Sequence, residues 1–204
     1  MNRAFELMLA EVHRYEGTVN QFLGDGIMAL FGAPIAHEDH ARSAVHAALG
    51  IRKALQEYQD ELRQRQIAFQ VRQGLNTGMV VVGSIGNDLR MDYTAVGDTT
   101  NVAARLQNEA SPGRIFISEA TQRLIEGYFY TRSLGEIAVK GKSEPVRAWE
   151  VISARIARGR LDVEAERGLT PLVGRDTELQ LLFQCFERTK AGHGQVVFVA
   201  GEPG

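Results

Sequence analysis

Residues 18–32 read TVNQFLGDGIMALFG, Thr18 to Gly32. Two short runs of strand-like composition, TVNQF and IMALF, flank Leu23-Gly24-Asp25-Gly26. An Asp-Gly pair between such runs predicts a tight hairpin of the primed type, with positive φ at both central positions. The second run is apolar almost throughout, which predicts a strand covered on both faces. Asp25 then stands at the tip of a hairpin with buried flanks, and its flanking glycines leave room for a ligand to approach the backbone. In isolation Asp25 reads as a turn former. The chain on either side is what gives it chemistry.

Upstream, residues 2–16 carry Phe5, Leu9 and Val12 on one helical face, with Leu7 and Met8 widening it and Gly17 closing the helix. Downstream, Pro34 breaks the chain, and residues 37–66 form a long predicted helix. Its Ala41, Ala44, Val45, Ala48, Ile51, Leu55, Tyr58 and Leu62 recur at three- and four-residue steps. His37 and His40 stand near the start of that helix with no cysteine beside them, which reads as capping or solvation rather than metal binding. Residues 67–76 alternate as a half-buried strand, 79–83 form a second strand, and 84–93 a polar loop. After Gly97, Asp98 or Thr99 caps a helix running to about Ala110. A strand at 114–118, a short helix at 119–126 and a last pair of strands at 129–139 and 146–152 follow. This order predicts an α+β fold, a sheet with helices packed on it.

The 204 residues are 44% hydrophobic and 24% charged, the balance of an ordinary globular protein, with a net charge of −2. That charge gives no electrostatic reason to expect nucleic acid or an anionic membrane surface as partner. The lone Cys185 excludes an internal disulfide. No apolar run approaches the roughly 20 residues that span a bilayer, and a cytoplasmic protein is the expectation. Residues 153–170 are charged and lack aromatics, as a linker or exposed helix does. Beyond them lie Pro171-Leu172-Val173-Gly174-Arg175, a predicted helix to Lys190 with Leu179, Leu182, Phe183 and Phe186 on one face, and a buried-type strand at Val196–Ala200.

Two further groups carry possible chemistry. Asn101 and Arg105 lie one turn apart on a helix face beside the apolar Val102 and Leu106, and a guanidinium offers a phosphate a planar fork of donors. Lys140 and Lys142 straddle Gly141 in a turn between strands, within reach of a polyphosphate tail. Each group alone reads as well as solvated surface. Together, FLGDGIMALFG, then GMVVVGSIGNDLRMDYTAVGDTTNVAARLQNEASPGRIFIS, then AVKGKSEPVRAWEV resemble the class III nucleotidyl cyclase domain over about residues 2–152. The tail, LVGRDTELQLL and VVFVAGEPG, resembles the start of a fused P-loop ATPase module, broken off inside its phosphate loop before the lysine.

The resemblance implies a ferredoxin-like cyclase fold at 1–152, a linker at 153–170 and an incomplete ATPase fragment at 171–204. It implies a cytoplasmic homodimer with shared sites. There the 3′-hydroxyl of a nucleoside triphosphate, ATP more than GTP, attacks its own α-phosphate with two Mg2+ or Mn2+ ions. Asp25 falls on a metal aspartate, with Gly24 beside it in the substrate loop. Asn101 falls on the ribose-orienting asparagine, Arg105 on the arginine at the pentacovalent phosphate, and Lys140 on the lysine of the terminal phosphates, with Lys142 its nearest competitor. Thr94 and Gln21 fall on the base-selecting positions. Two departures stand out. Gln21 replaces the usual lysine or glutamate, and the family's first metal aspartate would precede the opening helix. The chain is therefore expected to lack that first strand and to have little activity by itself. The rival expectation is a degenerate cyclase-like module that binds nucleotide or dimerises to regulate the ATPase.

Overall fold

The strand β6 (Ile115–Ser118) is buried at every position, and the main sheet is built around it. In the computed structural model, which describes residues 2–64, 66–67, 69–85, 92–96, 98–137, 145–155 and 174–201, four strands run in the order β3 (Gln73–Leu75), β6, β8 (Val146–Ala154), β7 (Phe129–Ile137). β3 pairs parallel to β6, with Gln73 opposite Ile115. β8 pairs antiparallel to both β6 and β7. Alternation along β6 sends Ile115 and Ile117 to one face and Phe116 to the other. The first face is covered by α2 (His40–Arg63) through Ala41, Val45 and Ala48, and by α4 (Glu119–Ile125) through Ile125. On the second face Val102 and Leu106 of α3 (Asp98–Glu109) pack on Phe116 and Ala148. Covering on both faces explains the unbroken apolar run of this strand.

Glu150 is the charged exception inside the sheet, 1% exposed. Arg114 Nη1 donates to its Oε1 at 2.7 Å and Arg132 Nη2 donates to its Oε2. A buried carboxylate persists only with such pairing. Across the other side of α2, the helix α1 (Asn2–Arg14) packs Ala4, Met8 and Val12 against Ile51 and Leu55. The hairpin β1 (Thr18–Leu23) and β2 (Gly26–Leu30) adds Val19, Ile27 and Ala29 to that cluster. A third pair, β4 (Val81–Ile85) and β5 (Asp92–Val96), is antiparallel. β5 lies beside β1 and leads into α3.

Several local expectations are corrected. Gly24 alone takes positive φ, at +60°, and Asp25 does not, so the turn is of the kind with glycine at its first central position rather than one with both positive. β2 is half-buried throughout, not buried. The flanks are open at the tip, with Phe22 56% and Leu23 51% exposed, because β1 and β2 form a two-stranded sheet of their own. Glu16, not Gly17, takes the left-handed position that closes α1, at φ +60°. The amide of Gly17 then bonds to Val12 O. Gly17 is needed for another reason, since a Cβ there would lie 2.6 Å from the Phe31 ring. The strand expected at 67–76 shrinks to Gln73–Leu75. The strand expected at 79–83 is Val81–Ile85, and the loop expected at 84–93 is shortened at both ends, by the last residues of β4 and the first of β5.

The chain divides into two compact units, Met1–Gly159 and Arg160–Gly204. In the second, α5 (Asp176–Lys190) forms as expected but buries no residue. No strand forms at Val196–Ala200, where Val196 is 81% and Phe198 91% exposed. Among the described residues of this unit, one helix and one extended segment supply no second layer against which to bury an apolar face.

His46 of α2 gives the first unit a pH dependence. Its ring stacks on Tyr15, with centroids 5.5 Å apart, and leans on Phe129 at 4.8 Å. Burial, and then the neighbouring Arg42 guanidinium, hold the imidazole below the ordinary histidine value. The unfolded chain therefore takes up a proton at this site first. Stability contributed above about pH 6.5 is lost as pH falls through that value toward the lower folded one. Urea midpoints at pH 7.5 and 5.5 should differ less for His46→Gln than for the wild type, and an unchanged difference removes His46 from the account.

Candidate active site

The helix α3 begins at Asp98 and carries Asn101 and Arg105 in successive turns. Its apolar stripe is pinned to the sheet by Val102, 5% exposed, and Leu106, fully buried. Burying a leucine side chain contributes about 2 kcal/mol, so the face that α3 shows the sheet is well fixed. Its height is set closer to Asn101 and Arg105. Asn76 Nδ2 donates to Thr99 O at 2.9 Å, and Thr99 Oγ1 donates to Met79 O at 2.7 Å. Gly74 lies directly under the helix backbone, since a Cβ there would be 2.3 Å from both Ala103 O and Gln107 N.

Asn101 is exposed. Arg105 is half-buried, and its Nη1 is buried with no hydrogen-bond partner among the described residues. A buried guanidinium nitrogen without an acceptor costs free energy. An anionic oxygen delivered to that nitrogen would recover it. This is the chemistry of a phosphate-binding group.

Asp25 and Gly24 form the exposed tip of the first hairpin, and a Cβ added at Gly24 would meet nothing within 4 Å. Gln21, also exposed, pairs with Met28 across that hairpin, while Phe22 pairs with Ile27. Ile27 belongs to the core cluster, and Phe22 stacks edge-on against Phe5. Alternation therefore sends Gln21 to the opposite face. A bulge between Val19 and Gln21 makes Asn20 the extra residue, and both polar atoms of its amide are buried without a partner among the described residues. Thr94 pairs with Gly83 in β5, the strand that lies beside β1. Gln21 and Thr94 thus stand on neighbouring strands, and β5 runs directly toward α3. No hydrogen bond or ion pair among the described residues joins Asp25 to Asn101 or Arg105. Lys140 and Lys142 lie outside the described residues.

Asp25 is a single exposed carboxylate, and no group of three or more His, Cys, Asp or Glu residues able to hold a metal occurs among the described residues. It fits as one oxygen ligand of Mg2+ or Mn2+ shared with a triphosphate, the manner in which magnesium is usually held. His40 Nδ1 lies 2.9 Å from His37 O, a local turn contact of the capping kind. A cavity of about 250 Å3 lined by Arg52, Gln59, Arg63 and Phe69 contains none of the predicted site residues. Sequence reading missed Gly74, Asn76 and Thr99. Gly74 and Asn76 read as the end of the strand expected at 67–76, and Thr99 as a possible helix cap, so only packing under α3 reveals their contacts.

The family model of the adenylate and guanylate cyclase catalytic domain matches residues 1–152. Adenylate cyclase 1 of Rhizobium meliloti is 34% identical over 155 residues, which are 74% of this chain and 23% of that protein. The chain thus spans about a quarter of that relative's length. Among solved structures, the adenylyl cyclase CyaB from P. aeruginosa superposes with a TM-score of 0.71 at 36% identity, covering 78% of this chain and 83% of that one. The guanylate cyclase domain of RhGC from Catenaria anguillulae, in complex with GTP, superposes with a TM-score of 0.68 at 30% identity, covering 76% and 82%. No helix among the described residues is long and apolar enough to cross a membrane.

Proposed function

This chain belongs to the adenylate and guanylate cyclase catalytic-domain family, and from that premise we propose that it closes a purine nucleoside triphosphate to the 3′,5′-cyclic monophosphate with release of pyrophosphate. The observation that carries the proposal is Arg105, whose buried Nη1 lacks an acceptor one turn from Asn101. In the reaction the ribose 3′-oxygen forms a bond to the α-phosphorus as the bond to the pyrophosphate oxygen breaks. Charge builds on the α-phosphate oxygens, and a pre-placed guanidinium stabilises it without reorganising. Asn101 hydrogen-bonds the ribose and aligns its hydroxyl. Lys140 or Lys142 holds the terminal phosphates, and residues 171–204 open a P-loop ATPase module. Asp25 is a ligand of the metal ions, which when bound neutralise the phosphate oxygens. Cyclic nucleotide formation from ATP and GTP with manganese, in a protein that carries both metal aspartates, is the direct test. Binding of nucleotide without any product would favour the regulatory-module reading instead.

ATP is the preferred substrate in this reading, supported by Thr94 and by two adenylate cyclases among the relatives. Gln21 tempers the preference, because an amide both donates and accepts and leaves neither purine edge with a buried charge unpaired. Gln21→Lys should raise the ATP:GTP ratio of kcat/KM, by about tenfold if one unpaired donor is at stake. An unchanged ratio would show that residue 21 does not face the base.

The site is completed by a second copy of the chain. Its elements lie on an open surface, and the exposed Phe22 and Leu23 beside Asp25 are apolar area that a partner covers. In a two-fold dimer each site then draws Asp25 from one chain and Asn101 and Arg105 from the other.

A further inference from the structure

β3 and its connection to β4 meet α3 on both sides of Arg105, at Gly74, Asn76 and Met79. Gly74 lets the helix backbone rest on the strand at Ala103 and Gln107, the residues on either side of Arg105. Asn76 reaches the carbonyl of Thr99, and the Thr99 hydroxyl reaches back to Met79 O. Gly78 leaves room for that hydroxyl, since a Cβ there would lie 2.7 Å from Thr99 Oγ1. Helices normally lock by side-chain ridges fitting into grooves. A helix seated on a glycine has no side chain at that spot to key it, so small slides and rolls remain open. The two hydrogen bonds close them.

Resting on the cyclase reading above, we propose that Asn76 and Thr99 are positioning residues, which fix the height and roll of α3 and so hold Asn101 and Arg105 at the ribose and α-phosphate of the substrate. The same connection continues into β4, whose partner β5 lies beside the strand of Gln21. The contacts thus tie the phosphate-binding helix to the base-selecting strands. Neither residue touches the substrate, and their effect is on alignment, where a displacement of about 1 Å can cost on the order of a hundredfold in rate.

The test uses Thr99→Val, which removes the hydroxyl and keeps the shape, Thr99→Ser, which restores it, and Asn76→Asp, which replaces the donor by an acceptor. Thr99→Val should lower kcat about tenfold with KM for ATP within about twofold, Asn76→Asp should do the same, and Thr99→Ser should stay within about twofold of wild type. Amide hydrogen exchange over residues 98–105 should quicken about tenfold in Thr99→Val while β6 and β8 keep their protection. A Thr99→Val kcat within twofold of wild type, or a Thr99→Ser no better than Thr99→Val, overturns the proposal. If a wild type that carries both metal aspartates makes no cyclic nucleotide, the cyclase reading fails by itself and exchange decides the positioning. Quickening confined to α3 upholds it, and unchanged or sheet-wide exchange overturns it.

Discussion

Arg105→Ala should lower kcat/KM by at least about a hundredfold while leaving the folded state as stable as before or slightly more so. The loss follows from removing a fixed cation from the place where phosphate charge develops, which costs about 10²–10³ for a single donor and more for an arginine in phosphoryl transfer. The unchanged stability follows from Nη1 being buried with no partner among the described residues. In the free protein that nitrogen has already given up water without gaining a bond, so deleting it removes a cost rather than an interaction. Arg105→Lys keeps the charge but loses the planar fork, and should fall between the two. Steady-state kinetics and urea midpoints on the three proteins separate the cases. A variant that unfolds more readily yet turns over normally would make Arg105 a structural residue, and the phosphate reading would fall with it.

The expected contrast between activity and stability has a counterpart in Glu150. That side chain is also charged and almost fully buried, but both of its oxygens are held, by Arg114 and Arg132. Its carboxylate is a satisfied structural group, and removing it strands two guanidiniums. The distinction between Glu150 and Arg105 is visible only once partners are known. Sequence alone gave no reason to single out the first and gave the second only by its place one turn after Asn101.

What was legible in the sequence follows the strength of the local signal. The helical stripe of α2, the apolar run of β6 and the Gly-Asp-Gly turn each have one strong physical reading, and all three elements form. The errors arose where the deciding interaction is distant. The alternation expected to make a strand of 67–76 yields only Gln73–Leu75, and before it the chain is held to the turn ahead of β6 by single bonds, from the Gly113 amide to Val71 O and from the Gln73 amide to Arg114 O. The polar stretch after Ile85 hid β5, whose pairing with β4 satisfies its backbone whatever its side chains. The apolar segment Val196–Ala200 reads as a buried strand, but among the described residues nothing in its own unit covers Val196, Phe198 or Val199. The site was legible as residue types at the right spacing. The orphaned Arg105 nitrogen and the seat of α3 on Gly74 depend on three-dimensional packing that no spacing records.

Mixing two inactive variants should restore activity. Asp25→Ala and Arg105→Ala are each expected to be nearly inactive, the first through loss of a metal carboxylate and the second through loss of the phosphate cation. The two residues stand on separate elements, Asp25 at the hairpin tip and Arg105 on α3, with no bond between them among the described residues. If each site takes Asp25 from one chain and Arg105 from its partner, a heterodimer of the two variants gathers both lesions in one site and leaves the other whole. With random pairing about half the dimers are mixed and each has one good site of two, so roughly a quarter of wild-type activity should return. A site built within one chain predicts none, since every chain then carries a lesion in its own site. The exposed Phe22 and Leu23 give an internal control. Replacing both by serine should weaken dimerisation, which burial of that apolar area would otherwise favour, and should reduce the restored activity at low protein concentration more than at high. Subunit exchange is to be verified first, by mass or fluorescence. If the exchanged mixture stays as inactive as its parents, the shared-site dimer is wrong, and Asp25 and Arg105 must meet within one chain.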